Sequence, residues 1–195
     1  MHEILNRDVF FVREHVGLFK AANNYDICDM DTSDIIMECR EENLGPISKL
    51  LRFTDYKRMT PFDIQIRDMD GEPVVRVSRG VSIFVSDVKV FDANDQVIGG
   101  FKQKFFSIGG AFTVLDANEN PICQLKGKWT GRDFRFMAGD VELAHVSKEW
   151  GGIGKELFTS ADNYVLEISP SVPTDDTKRE LILAAVMCID MVLKE

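Results

Sequence analysis

The stretch of residues 178–194 limits the fold more than any other segment of the chain. Residues 181–193 read LILAAVMCIDMVL, which is apolar on every side except at Asp190. A surface helix has one apolar stripe, so a helix that is apolar all round must be enclosed by a protein core or a bilayer. Thirteen residues make about 20 Å of helix, whereas a bilayer span needs about 20 residues. The sequence therefore favours a helix buried in a protein core.

Two predictions concern polar residues of this helix, one at its start and one near its end. Thr177 and Glu180 have the spacing of a capping box, in which two side chains satisfy each other's backbone N–H groups. Asp190 has either buried hydrogen-bond partners or a place at an open end of the protein. The first is favoured because an unpaired buried carboxylate is unfavourable.

The middle of the chain repeats a strand–turn–strand unit. The copies are IRDMDGEPVVRVSRG, VFDANDQVIGGFKQKF and VLDANENPICQLKGKW, with a weaker fourth, FMAGDVELAHVSKEW. The turn residues Asp68, Asp92 and Asp116 are spaced by 24 residues. Their Asp-x-Asp/Asn pattern also occurs in calcium loops, but those loops have about twelve residues and flanking helices. We interpret these residues as turn formers between short strands.

Alternation of residue types assigns the two faces of the predicted sheet. In the return strands of two units, lysines alternate with apolar residues, so lysines and apolar residues lie on opposite faces. About twelve strands can be counted, and a closed sheet with an inward apolar face needs a filling. We therefore predict a single domain, 1–195, of mainly β class. It is a closed antiparallel barrel of about twelve strands around the central hydrophobic C-terminal helix.

The lysines of the polar face form a candidate binding surface. They are Lys102, Lys104, Lys126 and Lys128. If consecutive hairpins are neighbours, these side chains project from one region of the barrel exterior. Two interpretations remain open: a solvated outer face, or a docking site for anionic lipid head groups, where each base gains about 1 kcal/mol.

Composition excludes several classes of function. The net charge of −9 argues against nonspecific nucleic-acid binding, which needs clustered bases. The cysteines have no CxxC spacing, which indicates free thiols in a reducing compartment and no zinc site. They are Cys28, Cys39, Cys123 and Cys188. With no HExxH or GxSxG motif and no signal peptide, we expect a cytoplasmic protein that is not an enzyme.

One long motif resembles a known family. Residues 147–164 read SKEWGGIGKELFTSADNY, close to the phospholipid scramblase pattern SKxWxGIxxExFTxADN followed by an aromatic residue. The terminal CIDMVLKE resembles the closing helix of that family, and weaker agreement covers nearly the whole chain. The family is grouped with the tubby C-terminal and LURP-one-related proteins. The resemblance implies the tubby C-terminal-like fold, twelve antiparallel strands around a central helix, and an association with lipid movement.

The resemblance also implies a calcium loop just before the final helix. Here Ser160 stands where the family has an acidic ligand. Ser171 and Pro173 stand at two later positions that are acidic in the family. Asp162 is retained and Glu167 could assist it. Ser160, Asp162 and Glu167 are therefore the candidate calcium ligands, and no cofactor is expected to be required.

The function expected from the sequence is binding of anionic phospholipid or of membrane surfaces, with the protein peripheral at the inner membrane surface. Lipid scrambling itself would be transport rather than catalysis. The alternative is a soluble interaction or regulatory scaffold, without a lipid role, for an unidentified protein partner.

Overall fold

The structure, a computed structural model, describes residues 2–14, 24–41, 60–80, 87–103, 112–128, 133–147 and 163–193. Twelve strands in these residues form a closed antiparallel barrel, in which each strand pairs with its neighbours in the chain and β1 pairs with β12. The strands are β1 (Val9–Glu14), β2 (Tyr25–Asp29), β3 (Ile35–Arg40), β4 (Phe62–Asp68), β5 (Pro73–Arg79), β6 (Asp87–Asp92), β7 (Val97–Gln103), β8 (Phe112–Asp116), β9 (Pro121–Lys128), β10 (Asp133–Ala138), β11 (Val141–Ser147) and β12 (Tyr164–Ile168). The predicted mainly β barrel is confirmed.

The C-terminal helix α1, Lys178–Leu193, follows all the strands. Each of the consecutive residues 181–187 is at most 3% exposed, and together they share one apolar cluster with the inward side chains of the strands. Seven consecutive residues cover every side of a helix, so this part of α1 is enclosed by the barrel. The helix contacts β5, β6 and β7. The side chain of Asp190 lies outside the described part, so its expected partners stay a prediction.

A glycine lets β7 approach this helix. A Cβ atom on Gly99 would lie 2.2 Å from the carbonyl oxygen of Leu115 and 2.9 Å from Cδ2 of Leu181. Both separations are far below van der Waals contact, and the first involves backbone that cannot move aside. Any larger residue at this position would therefore push β7 away from β8 or from α1.

The three aspartate turns have the same construction. One carboxylate oxygen of Asp68, Asp92 or Asp116 accepts the N–H groups two and four residues later, at 2.8–3.0 Å. A further hydrogen bond from the side chain of Asn120, at 3.0 Å, lowers the pKa of Asp116. These aspartates are therefore turn formers, as predicted from the sequence.

Five tight turns lie at one end of the barrel, which we call the turn end. They join β2–β3, β4–β5, β6–β7, β8–β9 and β10–β11, and α1 starts at the same end because the strands alternate in direction. A 3₁₀ helix, Glu3–Asn6, also lies here and buries Leu5 in the core. Helix α1 therefore enters the barrel interior at the end where tight turns join the strands.

Arg179 joins the first residues of the chain to the start of α1. Its side chain is 1% exposed, and its guanidinium makes hydrogen bonds of 2.6–3.2 Å. The acceptors are the carbonyl oxygens of Leu5, Arg7, Val172 and Pro173 and the carboxylate of Asp8. A rigid guanidinium can serve so many acceptors because its donors point in fixed, divergent directions.

The capping box predicted for α1 is wrong. The carbonyl of Thr177 accepts the N–H of Leu181 at 3.1 Å, but the carboxylate that bonds the first turn belongs to Asp176, which accepts the N–H of Lys178 at 2.9 Å. Glu180 is instead 5% exposed and turned into the protein, where burial raises the pKa of its carboxyl group. Packing against the barrel therefore overrides the local capping preference.

A second, smaller apolar cluster lies on the outward side of β12, β1 and β2. It contains Phe11, Cys28 and Val165, each at most 7% exposed, and it is separate from the main core. The register pairs Phe11 with both Cys28 and Val165. The sheet is therefore apolar on both faces in this region, which alternation in the sequence did not predict.

Candidate functional site

The strand register places two of the four predicted lysines, Lys102 and Lys126, on one outward surface. Lys102 of β7 pairs with Thr113 of β8, and Thr113 pairs with Gln124 of β9. Lys126 is two residues beyond Gln124 and shares its face. From strand spacing and rise, the Cα atoms of Lys102 and Lys126 lie about 12 Å apart.

Lys102 forms an ion pair on this surface. Its Nζ atom lies 2.7 Å from Oε2 of Glu119, with exposed side-chain fractions of 43% and 73%. The hydrogen bond from Lys102, followed by its charge, lowers the pKa of Glu119. Exposed pairs of this kind are weak and exchange readily with solvent or with other ions.

Lys126 is exposed and makes no ion pair with any residue that the structure describes. Its nearest cross-strand neighbour is Arg135 of β10, whose Nη1 lies 3.0 Å from Oε2 of Glu142. Like charges that face each other across a sheet are unfavourable without a counterion. The carboxylate of Glu142 already offsets part of that repulsion, and an anion bound here would offset more of it.

The other two predicted lysines are covered only in part. Lys128 ends β9 and its Cα pairs with Asp133, but only its backbone belongs to the described residues. Lys104 lies outside them altogether. Grouping all four lysines into one surface therefore stays a prediction.

Two bases on the same surface escaped the sequence prediction. Lys89 of β6 is exposed between buried Val88 and Val90, and Arg135 points outward from β10. The alternation in DVKVFD and DFRFMA carries the signal, but these strands lie outside the lysine pattern of the return strands. We call the outward side of β6–β10, with Lys89, Lys102, Lys126 and Arg135, the basic face.

A surface depression of about 300 Å³ adjoins Lys126. Its lining includes Ile122, Gln124, Met137 and Ala138, so apolar side chains lie beside a base. Val141, which pairs with Ala138, is 54% exposed. This combination matches an amphiphilic ligand better than a small hydrophilic ion.

The calcium candidates are described only at Glu167. This residue is exposed on β12, where it pairs with Val9 and His145. Ser160 and Asp162 lie outside the described residues. Among the residues that are described, no group of three or more histidine, cysteine or acidic side chains could hold a metal ion. Calcium binding therefore stays a prediction.

The part of the chain that the structure describes contains no membrane-spanning α-helix. No helix there has both the length and the hydropathy that crossing a bilayer requires.

Comparison with known proteins gives two matches. A protein-family model described as Scramblase matches residues 6–195. The Homo sapiens protein phospholipid scramblase family member 5 is 22% identical over 147 residues, which cover 68% of this chain and 54% of that protein. The chain thus spans about half the length of the curated relative that it matches. No solved structure matches it.

Proposed function

The chain belongs to the scramblase family, and we propose that it binds the surface of anionic phospholipid membranes through its basic face. The observation that carries the proposal is the cluster of bases on this surface. Lys89 and Lys126 have no ion-pair partner among the described residues, and Lys102 and Arg135 form ion pairs with Glu119 and Glu142.

The expected strength of this binding follows from the number of bases. A base near an anionic membrane contributes about 1 kcal/mol, so four bases supply about 4 kcal/mol, which corresponds to a dissociation constant of about 1 mM. Apolar contacts at the depression beside Lys126 would add to this value. The proposed binding is therefore a reversible, salt-dependent association at the cytoplasmic side of a membrane.

The buried cysteines support a cytoplasmic location. Cys28, Cys39 and Cys123 are free thiols, and burial raises the pKa of Cys123 to about 12. A thiol of that kind stays protonated and unreactive. The proposed role is lipid binding, and in the family's sense lipid movement, rather than catalysis by a nucleophile.

Co-sedimentation with vesicles tests the proposal. Phosphatidylcholine vesicles that contain phosphatidylserine should bind the protein, and phosphatidylcholine alone should not. The variant Lys102→Gln/Lys126→Gln should bind the anionic vesicles about tenfold or more weakly, since it loses two of the contributing bases.

For the single variant Lys102→Gln, the matched control is Asn94→Asp, which changes the net charge equally but in the β6–β7 turn. Asp70 has the equivalent position in the first turn, so aspartate suits that loop. Equal loss of binding in both variants would show that the effect comes from net charge alone. No binding to anionic vesicles would overturn the proposal and leave the scaffold alternative. If binding is found, a dithionite assay in proteoliposomes then tests whether lipid moves.

A further inference from the structure

The depression beside Lys126 is long enough for one acyl chain. Its lining runs from Pro121 to Lys126 on β9 and includes residues 137–139 at the end of β10. At about 3.4 Å per residue, the run from Pro121 to Lys126 is about 17 Å long. The hydrocarbon core of a bilayer is about 30 Å thick and holds two layers of chains, so one chain covers about 15 Å.

Apolar side chains line the part of the depression near the turn end. Ile122 and Met137 are half-buried there, and Ala138 lies beside them. Val141, which pairs with Ala138, is 54% exposed, and among the described residues only two other large hydrophobic side chains are exposed. An apolar chain that covered this surface would remove it from water, which is favourable.

The opposite end of the depression has one uncompensated base. Lys126 lines it and has no ion-pair partner among the described residues, whereas Arg135 across the strand pair is held by Glu142 at 3.0 Å. Asp140 is exposed in the β10–β11 turn, at the apolar end. These charges attract an anionic head group to Lys126 and repel it from the turn end. The ligand that fits is therefore a monoanion with one apolar chain.

We propose that the depression binds one long-chain fatty carboxylate, with its carboxylate at Lys126 and its chain between β9 and β10 toward the turn end. A phospholipid has two chains, but the volume of about 300 Å³ is at the lower limit for ligand sites and suits one. This inference goes beyond the proposed function, because the ligand is a single molecule from solution and not a membrane surface.

NMR titration with fatty carboxylates tests the inference. Octanoate and decanoate, each kept below the concentration at which it forms micelles, should shift the methyl signals of Met137 and Ala138. The methyl signal of Met69, which is 55% exposed in the β4–β5 turn, should stay in place and serves as the control for nonspecific apolar contact. Decanoate should bind about three- to tenfold more tightly than octanoate, because it buries more methylene groups.

A pair of lysine variants tests the head-group contact. Lys126→Gln should bind octanoate about two- to fivefold more weakly than the parent chain. The matched control is Lys89→Gln, which removes the same charge from an exposed residue of β6 and should leave the affinity unchanged. The parent chain should prefer octanoate to 1-octanol, and this preference should disappear in Lys126→Gln, because it depends on that one contact.

A third variant fills the depression. Gln124 is half-buried in its lining, between Thr113 and Met137 of the neighbouring strands. The substitution Gln124→Trp should abolish octanoate binding by occupying this space, and aromatic residues are well accepted in strands. Thermal melts should show that this variant and the lysine variants are folded.

Four outcomes would overturn the inference. Unchanged methyl signals of Met137 and Ala138 would show that no carboxylate binds. An equal shift at Met69 would show nonspecific apolar contact. Equal losses in Lys126→Gln and Lys89→Gln would show a net-charge effect, and full binding by a folded Gln124→Trp protein would place the ligand elsewhere. Vesicle binding is measured separately, so either proposal can fail while the other stands.

Discussion

The turn end and the basic face use positive charge in opposite ways. Arg179 at the turn end is 1% exposed and bonds carbonyl groups from both ends of the chain. Lys102 on the basic face is 43% exposed and has an acidic partner that is itself 73% exposed. A buried guanidinium cannot exchange its partners without unfolding its surroundings, whereas an exposed ammonium can. The turn end therefore uses its positive charge to support the fold, whereas Lys102 keeps an ion pair at the surface.

Substitution of Arg179 is expected to have the largest effect. Arg179→Met should lower the free energy of unfolding by about 3 to 5 kcal/mol, because buried carbonyl groups lose their donors. Urea denaturation measures the change. Lys178→Met is the neighbouring control and should change stability by at most ~1 kcal/mol, since the ion pair that Lys178 makes among the described residues is a partly exposed one with Asp176. Similar losses in the two variants would contradict the structural role of Arg179.

The strand β7 permits the same comparison within a few residues. Gly99→Ala should destabilise the protein by about 1 to 3 kcal/mol through overpacking against Leu115 and α1. It should leave the vesicle affinity of the folded protein unchanged. Lys102→Gln should instead lower the vesicle affinity and leave the stability unchanged. Gly80→Ala is the control, because its added Cβ would meet nothing within 4 Å. A Gly99→Ala protein of parental stability would show that β7 lies farther from the helix.

Two glutamates are expected to give small pH effects of opposite sign. Burial raises the pKa of Glu180 above its ordinary 4.5, so folding favours the protonated form. Stability should therefore fall as pH rises from 4.5 through the raised pKa, and Glu180→Gln should be more stable than the parent at neutral pH. The pKa of Glu119 is lowered, so its contribution should be present above its ordinary 4.5 and lost in acid.

Denaturation curves across this pH range separate the two. Glu180→Gln should differ most from the parent at neutral pH and converge with it in acid. Glu119→Gln should be slightly less stable than the parent at neutral pH, because an exposed pair contributes little. A Glu180→Gln difference that does not change with pH would show that folding leaves the pKa of Glu180 unchanged.

Local patterns predicted much of this protein. Alternation in the return strands correctly placed Phe101 and Leu125 inward and Lys102 and Lys126 outward. The turn aspartates were identified because their hydrogen bonds close within five residues. The prediction failed at Thr177 and Glu180, where a local capping preference competes with burial. It also missed Lys89, which alternates as clearly with Val88 and Val90 but lies outside the return strands of the repeats.

The contacts between residues far apart in the chain could not be predicted from local patterns. Glu119 lies 17 residues from Lys102, and Arg179 lies 174 residues from Leu5. Such pairs depend on which residues face each other across neighbouring strands and on how the barrel closes. A shift of the register by two residues keeps every side chain on its face but separates Glu119 from Lys102.

The sequence by itself determined that a wholly apolar helix needs enclosure and that a repeated, alternating sheet can provide it. These properties depend on side-chain period and hydropathy, which are local. Only the tertiary structure decided which charges are buried in the fold and which stay at the surface. Arg179 and Lys102 are equally charged in the sequence, but the barrel buries one among carbonyl groups and leaves the other exposed beside Glu119. The difference arises because hydrogen-bond partners and solvent access are set by residues far apart in the chain.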